Sequence, residues 1–255
     1  MRFSKWHALG NSYLLVERAD AGELTGDIAR RLCDVSVGIG SDGVLEVLDV
    51  DGARADVRIW NPDGSVAEMS GNGTRIAAAW LARQAGAVDV VVSVGQRDVQ
   101  ARALGADLVE TDVGRVEVGP AETLIVDGDS LALTPVDVGN QHAVIFGDTP
   151  TRAALLRLGP VIEHHPRFPA RTNVQLAQAE SANAVRALVW ERGAGETSAS
   201  GSSAVAVAAV AVARGWCESP VSVHMPGGEL VVELEAGEAT LIGPAVEICR
   251  GEIGL

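Results

Sequence analysis

The chain has 255 residues, of which 47% are hydrophobic and 21% charged, and a formal net charge of −14. An apolar share of that size belongs to a globular protein with a substantial core and excludes a disordered chain, and the length fits one large domain or two of ordinary size. The acidic balance argues against a nucleic-acid or anionic-membrane surface, because both need clustered positive charge, and leaves room only for local basic sites.

Taken in order, Met1 to His7 and Tyr13 to Arg18 read as strands around a Gly10-Asn11 turn. Asp27 to Val35 has helical spacing at Ile28, Leu32 and Val35, behind Thr25-Gly26. The loop Gly38-Ile39-Gly40-Ser41-Asp42-Gly43 leads into a strand, Val44 to Val50, and Ala55 to Trp60 is the next. A helix is predicted over 70–85, then strands at Val88 to Val94, Val99 to Leu104 and Leu108 to Val113. A similar series resumes from Val116, so the crossover falls near Gly114. Val136 to Gly147 holds a strand and a Gly139-Asn140 turn, Thr151 to Val161 is a helix, and Asn173 to Gln178 and Val185 to Trp190 are strands. After an alanine-rich helix, Val221 to Met225, Leu230 to Leu234 and Ala239 to Ile242 form hairpin-like strands, and Val246 to Arg250 closes the chain by returning to the first half. The expected organisation is α+β, with strands dominating, one central helix per half, and halves at 1–114 (with 245–255) and 115–244.

The halves are read as a duplication. Trp60-Asn61-Pro62-Asp63-Gly64 and Ser70-Gly71-Asn72-Gly73-Thr74-Arg75 run into a small-residue helix, Ile76 to Ala82. Trp190-Glu191-Arg192-Gly193-Ala194-Gly195-Glu196-Thr197 and Ser200-Gly201-Ser202-Ser203 run into Ala204 to Ala213. In both, Ser-Gly follows the Trp by ten residues, and the copies lie 130 apart; Gly10-Asn11 recurs as Gly139-Asn140 at an offset of 129. Two matches at nearly one offset point to related halves. Packed about a pseudo-twofold axis, such halves would turn two helix N-termini toward one cleft. Helices alanine-rich on nearly all sides suit enclosure by sheet, since small residues let strands approach closely.

Other classes of site are excluded. The longest apolar run, Ala204 to Ala213, is far short of a bilayer span and no basic-then-apolar leader opens the chain, so a cytoplasmic protein without a membrane partner is expected. The cysteines, Cys33, Cys217 and Cys249, are scattered and odd in number, which indicates neither a disulfide framework nor a zinc site; they are expected to be buried small apolar residues. Lys5 is the only lysine, which excludes an internal lysine Schiff base with pyridoxal phosphate, and no Walker or dinucleotide fingerprint follows a strand.

Ser70 and Ser200 carry two readings. Serine before an alanine-rich helix is by default an N-cap, accepting from the N2 or N3 backbone N–H. Alternatively, the free N–H groups and positive macrodipole end at each helix start hold a carboxylate. Loops around these starts would present Asn11, Asn61, Asn72, Asn140, Asn173, Glu191 and Arg192. Asparagines donate and accept, and Arg192 with Glu191 suits a second carboxylate and an ammonium, so the implied ligand is a small zwitterion.

Gly10-Asn11, Asn61-Pro62-Asp63-Gly64, Ser70 to Arg75, Gly139-Asn140-Gln141-His142, Arg171-Thr172-Asn173 and Glu191 to Thr197 resemble, in order and over nearly the whole chain, the segments of the diaminopimelate epimerase family. The resemblance implies two pseudo-symmetric halves, each a mainly antiparallel sheet wrapped around a central helix. It implies a homodimeric, cofactor-independent and metal-free epimerase interconverting LL- and meso-diaminopimelate, in which one residue removes the α-proton and its opposite number returns one. N–H groups near Asn72, Gly73, Gly201 and Ser202 would hold the α-carboxylate. Asn61, Asn173, Glu191 and Arg192 would hold the distal end, Asn11 and Asn140 would line the site, and His142 and Glu191 would support the acid/base pair electrostatically.

The departure from the family falls at the centre of this mechanism. Both acid/base positions are cysteine in the familiar enzymes and serine here, at Ser70 and Ser200. A thiol has a pKa of about 8.5 and an alcohol is roughly five units weaker, which adds on the order of 7 kcal/mol to forming the base, or about five powers of ten in rate. An engineered Cys→Ser pair would leave its neighbours alone, whereas Ser203 stands for a usual Gly, Gln141 for a usual Pro and Gly43 for a usual Gln; between engineered replacement and natural divergence, such scattered changes favour divergence. Two readings stay open: an epimerase using Ser70 and Ser200, or a weak or inactive homologue that holds a zwitterionic amino acid without chemistry. Arg192 and the distal asparagines suit a substrate with a second charged end better than a proline-racemase-like or phenazine-isomerase-like one.

Overall fold

The computed structural model describes residues 1–126 and 128–254, and its contacts divide the chain into two units, Met1–Asp112 with Gly243–Leu255, and Val113–Ile242. The first unit runs β1 (Arg2–Ala8), β2 (Asn11–Glu17), α1 (Arg18–Ala21), α2 (Gly26–Cys33), β3 (Val44–Asp51), β4 (Arg54–Trp60), β5 (Val66–Ala67), α3 (Gly71–Ala85), β6 (Asp89–Val94), β7 (Arg97–Ala103) and β8 (Leu108–Arg115). Its ladders are mostly antiparallel; the exceptions are β2 with β3 (Leu14 opposite Val44) and β4 with β6 (Arg54 opposite Val91). Helix α3 is the core, with Ile76 to Ala82 buried among Trp6, Leu15, Leu45, Ile59 and Val92. Alanine permits this, because no longer side chain holds the strands off. Gly86, in the left-handed conformation at φ 62°, ends the helix and donates to the Ala82 carbonyl.

The second unit repeats that plan with β9 (Glu117–Val118), β10 (Glu122–Val126), β11 (Asp129–Asp137), β12 (Gln141–Phe146), α4 (Arg152–Glu163), β13 (Asn173–Ser181), β14 (Ala184–Glu191), β15 (Gly195–Thr197), α5 (Gly201–Ala213), β16 (Val221–Met225), β17 (Gly228–Glu235) and β18 (Glu238–Pro244). Its parallel pairs, β12 with β13 and β14 with β16, stand at the corresponding places, and α5 is buried from Ser203 to Ala211. The last strand, β19 (Val246–Glu252), pairs antiparallel with β1 in the first unit. Trp60 opposes Val44 across β4 and β3 just as Trp190 opposes Val174 across β14 and β13, so the offset of the duplication is a register of the sheets. The fold is α+β, of two pseudo-symmetric halves, each a mainly antiparallel sheet around a central helix.

Both indoles end in a buried carboxylate. Trp60 Nε1–H donates to Glu46 at 3.0 Å, and Glu46 also receives two bonds from the Arg18 guanidinium. Trp190 Nε1–H donates to Glu163 at 2.8 Å, whose other oxygen accepts from Gly193 N–H at 2.9 Å. Burial alone would raise the Glu163 carboxyl; the Trp190 and Gly193 bonds, with His164 and Arg171 nearby, hold it below its usual value instead. Each such charge-assisted bond contributes about 1.5–3 kcal/mol, which fixes both strand ends ahead of the helix starts. Gly159 of α4 lies flat against the Trp190 ring, where a Cβ would come within 2.6 Å.

Three expectations need correction. The helix read to Val35 stops at Cys33, because the Asp34 carboxylate accepts the Ser36 and Val37 N–H groups in a turn that leaves Val35 87% exposed. Thr151, read as the first helical residue, caps α4 from outside, accepting from Ala154 N–H, and the helix continues through Pro160 to Glu163. Cys33 and Cys217 are buried as read, but Cys249 is exposed, in the stretch of β19 where Ile248 also faces outward. No helix among the described residues is long and apolar enough to cross a membrane.

Candidate active site

At the start of α3, Ser70 is extended (φ −144°, ψ 116°) and its Oγ accepts from Gly73 N–H at 3.0 Å, an N-cap bond. The same Oγ lies 2.9 Å from Tyr13 Oη. Tyr13 comes from the buried run of β2. Asn72, inside the helix predicted over 70–85, is the second residue of α3 and is buried. Its Nδ2 donates to Asn11 Oδ1 at 3.2 Å and its Oδ1 accepts from Arg75 Nη2 at 2.8 Å. Arg75 is fully buried, and its Nε–H donates to the Pro244 carbonyl. Burial pushes its pKa down to about 10, and Nη1 has no hydrogen-bond partner. The first unit therefore gathers Asn11, Tyr13, Ser70, Asn72 and Arg75, with the Asn72 amide oriented from both ends.

At the start of α5 the same backbone geometry (φ −144°, ψ 126°) serves a different bond. Ser200 makes no capping bond with its side chain; its hydroxyl donates to Glu191 Oε2 at 3.2 Å. The two serines, alike in the sequence, thus differ in their partners. Glu191 ends β14, and burial pushes its carboxyl above the usual range despite that hydroxyl. The hydroxyl proton is directed at the Glu191 carboxylate, and no backbone N–H of the helix start reaches the Ser200 oxygen.

His142 is fully buried. Its Nε2–H donates to Asn140 Oδ1 at 2.8 Å and its Nδ1 accepts from Gln175 Nε2 at 2.9 Å, while the same Gln175 nitrogen also donates to Ser203 Oγ. Burial drives the imidazole pKa down to about 3, so the ring is neutral and acts by holding Asn140. Asn173 is buried too, with Nδ2 donating to the Gln141 carbonyl and Oδ1 accepting from Arg192 N–H. The Arg192 guanidinium is exposed and reaches the Ala170 carbonyl at 3.4 Å. Asn61 closes a turn by donating to Ser65 Oγ. Gly201 is buried where a Cβ would meet Leu241 at 2.8 Å, and Ser202 beside it is half-buried.

Sequence reasoning missed Tyr13, Arg75 and Gln175 as members of these clusters. A signal for Tyr13 was present: it is the only tyrosine, and it follows Asn11 by two residues as His142 follows Asn140. Among the described residues, no group of three or more His, Cys, Asp or Glu is placed to hold a metal.

A family model described as diaminopimelate epimerase matches residues 3–121 and 134–248. The diaminopimelate epimerase of Moorella thermoacetica is 37% identical, with all of both chains covered. That of Stutzerimonas stutzeri is 36% identical, covering 100% of this chain and 99% of its own. Among solved structures, a phenazine biosynthesis protein from Bacillus anthracis superposes with a TM-score of 0.74 at 14% identity, covering 100% of this chain and 99% of its own. A hydroxyproline epimerase from Agrobacterium vitis with bound trans-4-hydroxy-L-proline gives 0.71 at 16% identity, covering 99% and 90%. At these identities the structural likeness is one of fold.

Proposed function

The chain belongs to the diaminopimelate epimerase family, and from that premise we propose that it interconverts LL- and meso-diaminopimelate without a cofactor, by two-base proton transfer at the α-carbon, with Ser70 and Ser200 as the proton-carrying pair. The observation that carries the reading is the Ser200 hydroxyl donating to a half-buried carboxylate whose pKa is raised by desolvation. As Ser200 Oγ takes the α-proton, its own proton passes to Glu191 Oε2 and the C–H electron pair stays on carbon. A carboxylate poised nearer neutrality is the better general base, so the coupling offsets part of the weakness of an alcohol. On α5 the N–H groups of Gly201 and Ser202 hold the α-carboxylate. On α3 the Gly73 N–H already serves Ser70, which leaves that duty to Asn72. Asn61, Asn173 and Arg192 bind the distal end, with Asn11 and Asn140 lining the site. The family resemblance also supports a cytoplasmic homodimer, which sedimentation velocity tests.

The deciding experiment incubates the protein with LL-diaminopimelate in deuterated water. The expected result is α-deuterium together with meso product. Absence of both, for either isomer across the pH range, refutes catalysis. The second reading, a binder without chemistry, draws on the Ser70 cap bond, which is what an ordinary helix start contains. It is distinguished by calorimetric binding of diaminopimelate that Arg192→Ala weakens, with no exchange.

A further inference from the structure

We infer that Tyr13 is the proton-relaying partner of Ser70, so that the weak acid at the first helix start is a phenol acting through the serine hydroxyl. The inference deepens the proposed two-base reaction and rests on it.

Its first support is geometric. Tyr13 Oη is 2.9 Å from Ser70 Oγ, and that Oγ is also fixed by Gly73 N–H, so the serine is held between a backbone donor and a phenol. The phenolic end of a buried ring is thereby joined to a half-buried hydroxyl at a helix start. The second support is the space that the ring occupies. A Cβ at Gly43 would lie 2.6 Å from Tyr13 Cε1 and 2.7 Å from the Trp60 carbonyl oxygen, so no residue with a side chain fits position 43 while the ring stays where it is. Gly43 thus packs against the ring whose hydroxyl meets Ser70. The third support is the duplication. Tyr13 occupies in β2 the place that His142 occupies in β12, each two residues beyond the Gly-Asn turn, yet His142 spends both ring nitrogens on Asn140 and Gln175. Of the two, Tyr13 is the one bonded to its unit's serine.

The chemistry balances. When Ser70 acts as acid, its O–H proton goes to the α-carbon, Tyr13 Oη–H reprotonates Oγ, and a phenolate remains. As base, Ser70 Oγ takes the α-proton while its own proton moves to the phenolate, and the electron pair of the C–H bond stays on carbon. A phenol ionises at about pH 10 in water and an alcohol several units higher, so the relay removes most of the deficit left by replacing a thiol. One turnover with Ser200 as base leaves Glu191 protonated and Tyr13 ionised, and exchange with water or a turnover in the opposite sense resets both.

The test uses the full chain and two readouts. Tyr13 is the only tyrosine, so phenolate absorbance near the red edge of the tryptophan band reports on it alone. Ser70→Ala is expected to move the pH at which that absorbance appears, and Ser200→Ala to leave it in place. In α-deuterium exchange without inversion, Tyr13→Phe is expected to slow exchange of the isomer deprotonated by Ser70 by roughly 10²-fold or more and to change exchange of the other isomer little, while net conversion falls alike in both directions because the equilibrium is fixed. Coincident absorbance titrations for the parent and Ser70→Ala, or equal losses of non-inverting exchange for both isomers in Tyr13→Phe, overturn the relay while leaving the epimerase reading standing. Absence of exchange in the parent protein overturns that reading and removes the reaction that the relay serves.

Discussion

Restoring the family's thiol at one position, Ser70→Cys, separates a bare alcohol from a phenol-backed one. If Ser70 works alone, the substitution replaces an acid about five units weaker than a thiol, and the ceiling on the gain is about 7 kcal/mol, or on the order of 10⁵-fold. If Tyr13 supplies the proton through its 2.9 Å contact, the acid being replaced is a phenol of ordinary pKa about 10 against about 8.5 for a thiol. The deficit is then about 1.5 units, roughly 2 kcal/mol, and the ceiling falls to about 30-fold. Partial proton transfer in the transition state lowers both ceilings, so the firm quantity is the ratio between backgrounds. Ser70→Cys is made in the parent and in Tyr13→Phe, and single-turnover α-deuterium exchange is followed by mass spectrometry for each isomer. The gain is expected to be larger, by at least about tenfold, where the phenol is absent, because the two groups act as one unit. Equal gains in both backgrounds would refute the coupling.

Three further outcomes follow from buried groups. Glu191, raised by burial, contributes stability that is fully present below its unfolded value of 4.5 and lost as pH rises through its higher folded value. Glu191→Gln should therefore melt higher than the parent at neutral pH while losing Ser200-dependent exchange by about 10²–10⁴-fold, and a lower melting temperature there contradicts the assignment. For His142 the sign is opposite: its folded pKa of about 3 lies below the unfolded 6.5, so stability present above pH 6.5 is lost as pH falls toward 3. The loss is on the order of 4 kcal/mol, and chemical denaturation at stepped pH should show it shrinking in His142→Gln. Gly159→Ala gains about 1 kcal/mol of helix propensity but drives a methyl to within 2.6 Å of the Trp190 ring. Overpacking costs about 1–3 kcal/mol, so calorimetry should find a net loss of a few degrees in Tm.

The duplication was legible because sheet register obeys sequence spacing: Trp60 and Trp190 take equivalent partners, so everything counted from them, including both serines, lands at equivalent places. The central helices were legible for a related reason, since a helix of alanine on all sides has nowhere to be but inside. What spacing cannot convey is which distant partner a side chain meets. Ser70 and Ser200 share backbone angles, and they differ because Glu191 stands within 3.2 Å of one and Tyr13 within 2.9 Å of the other. The Tyr13 contact joins residues 57 apart, through strands whose pairing the local pattern does not specify. The buried Arg75 guanidinium, bonded to Asn72 Oδ1, helps hold that residue in the first turn of the helix.

The two helix starts are therefore not interchangeable, and this bears on how a serine pair can serve where cysteines are usual. A thiol carries its own acidity, tuned by the helix N-terminus, so both sites can be built alike. An alcohol has too little, so in the proposed reaction each serine takes its acidity or basicity from a neighbour, and the neighbours differ: a phenol bonded to Ser70 and a carboxylate bonded to Ser200. A phenol is a mild acid that keeps its proton at neutral pH, which suits delivery, whereas a partly desolvated carboxylate suits reception. Exchange of the isomer deprotonated by Ser200 should then rise with pH through the ionisation of Glu191. Exchange of the isomer deprotonated by Ser70 should go on rising at higher pH, toward the range where a phenol ionises. Such unequal limbs distinguish borrowed acidity from two equivalent alcohols, whose profiles would coincide.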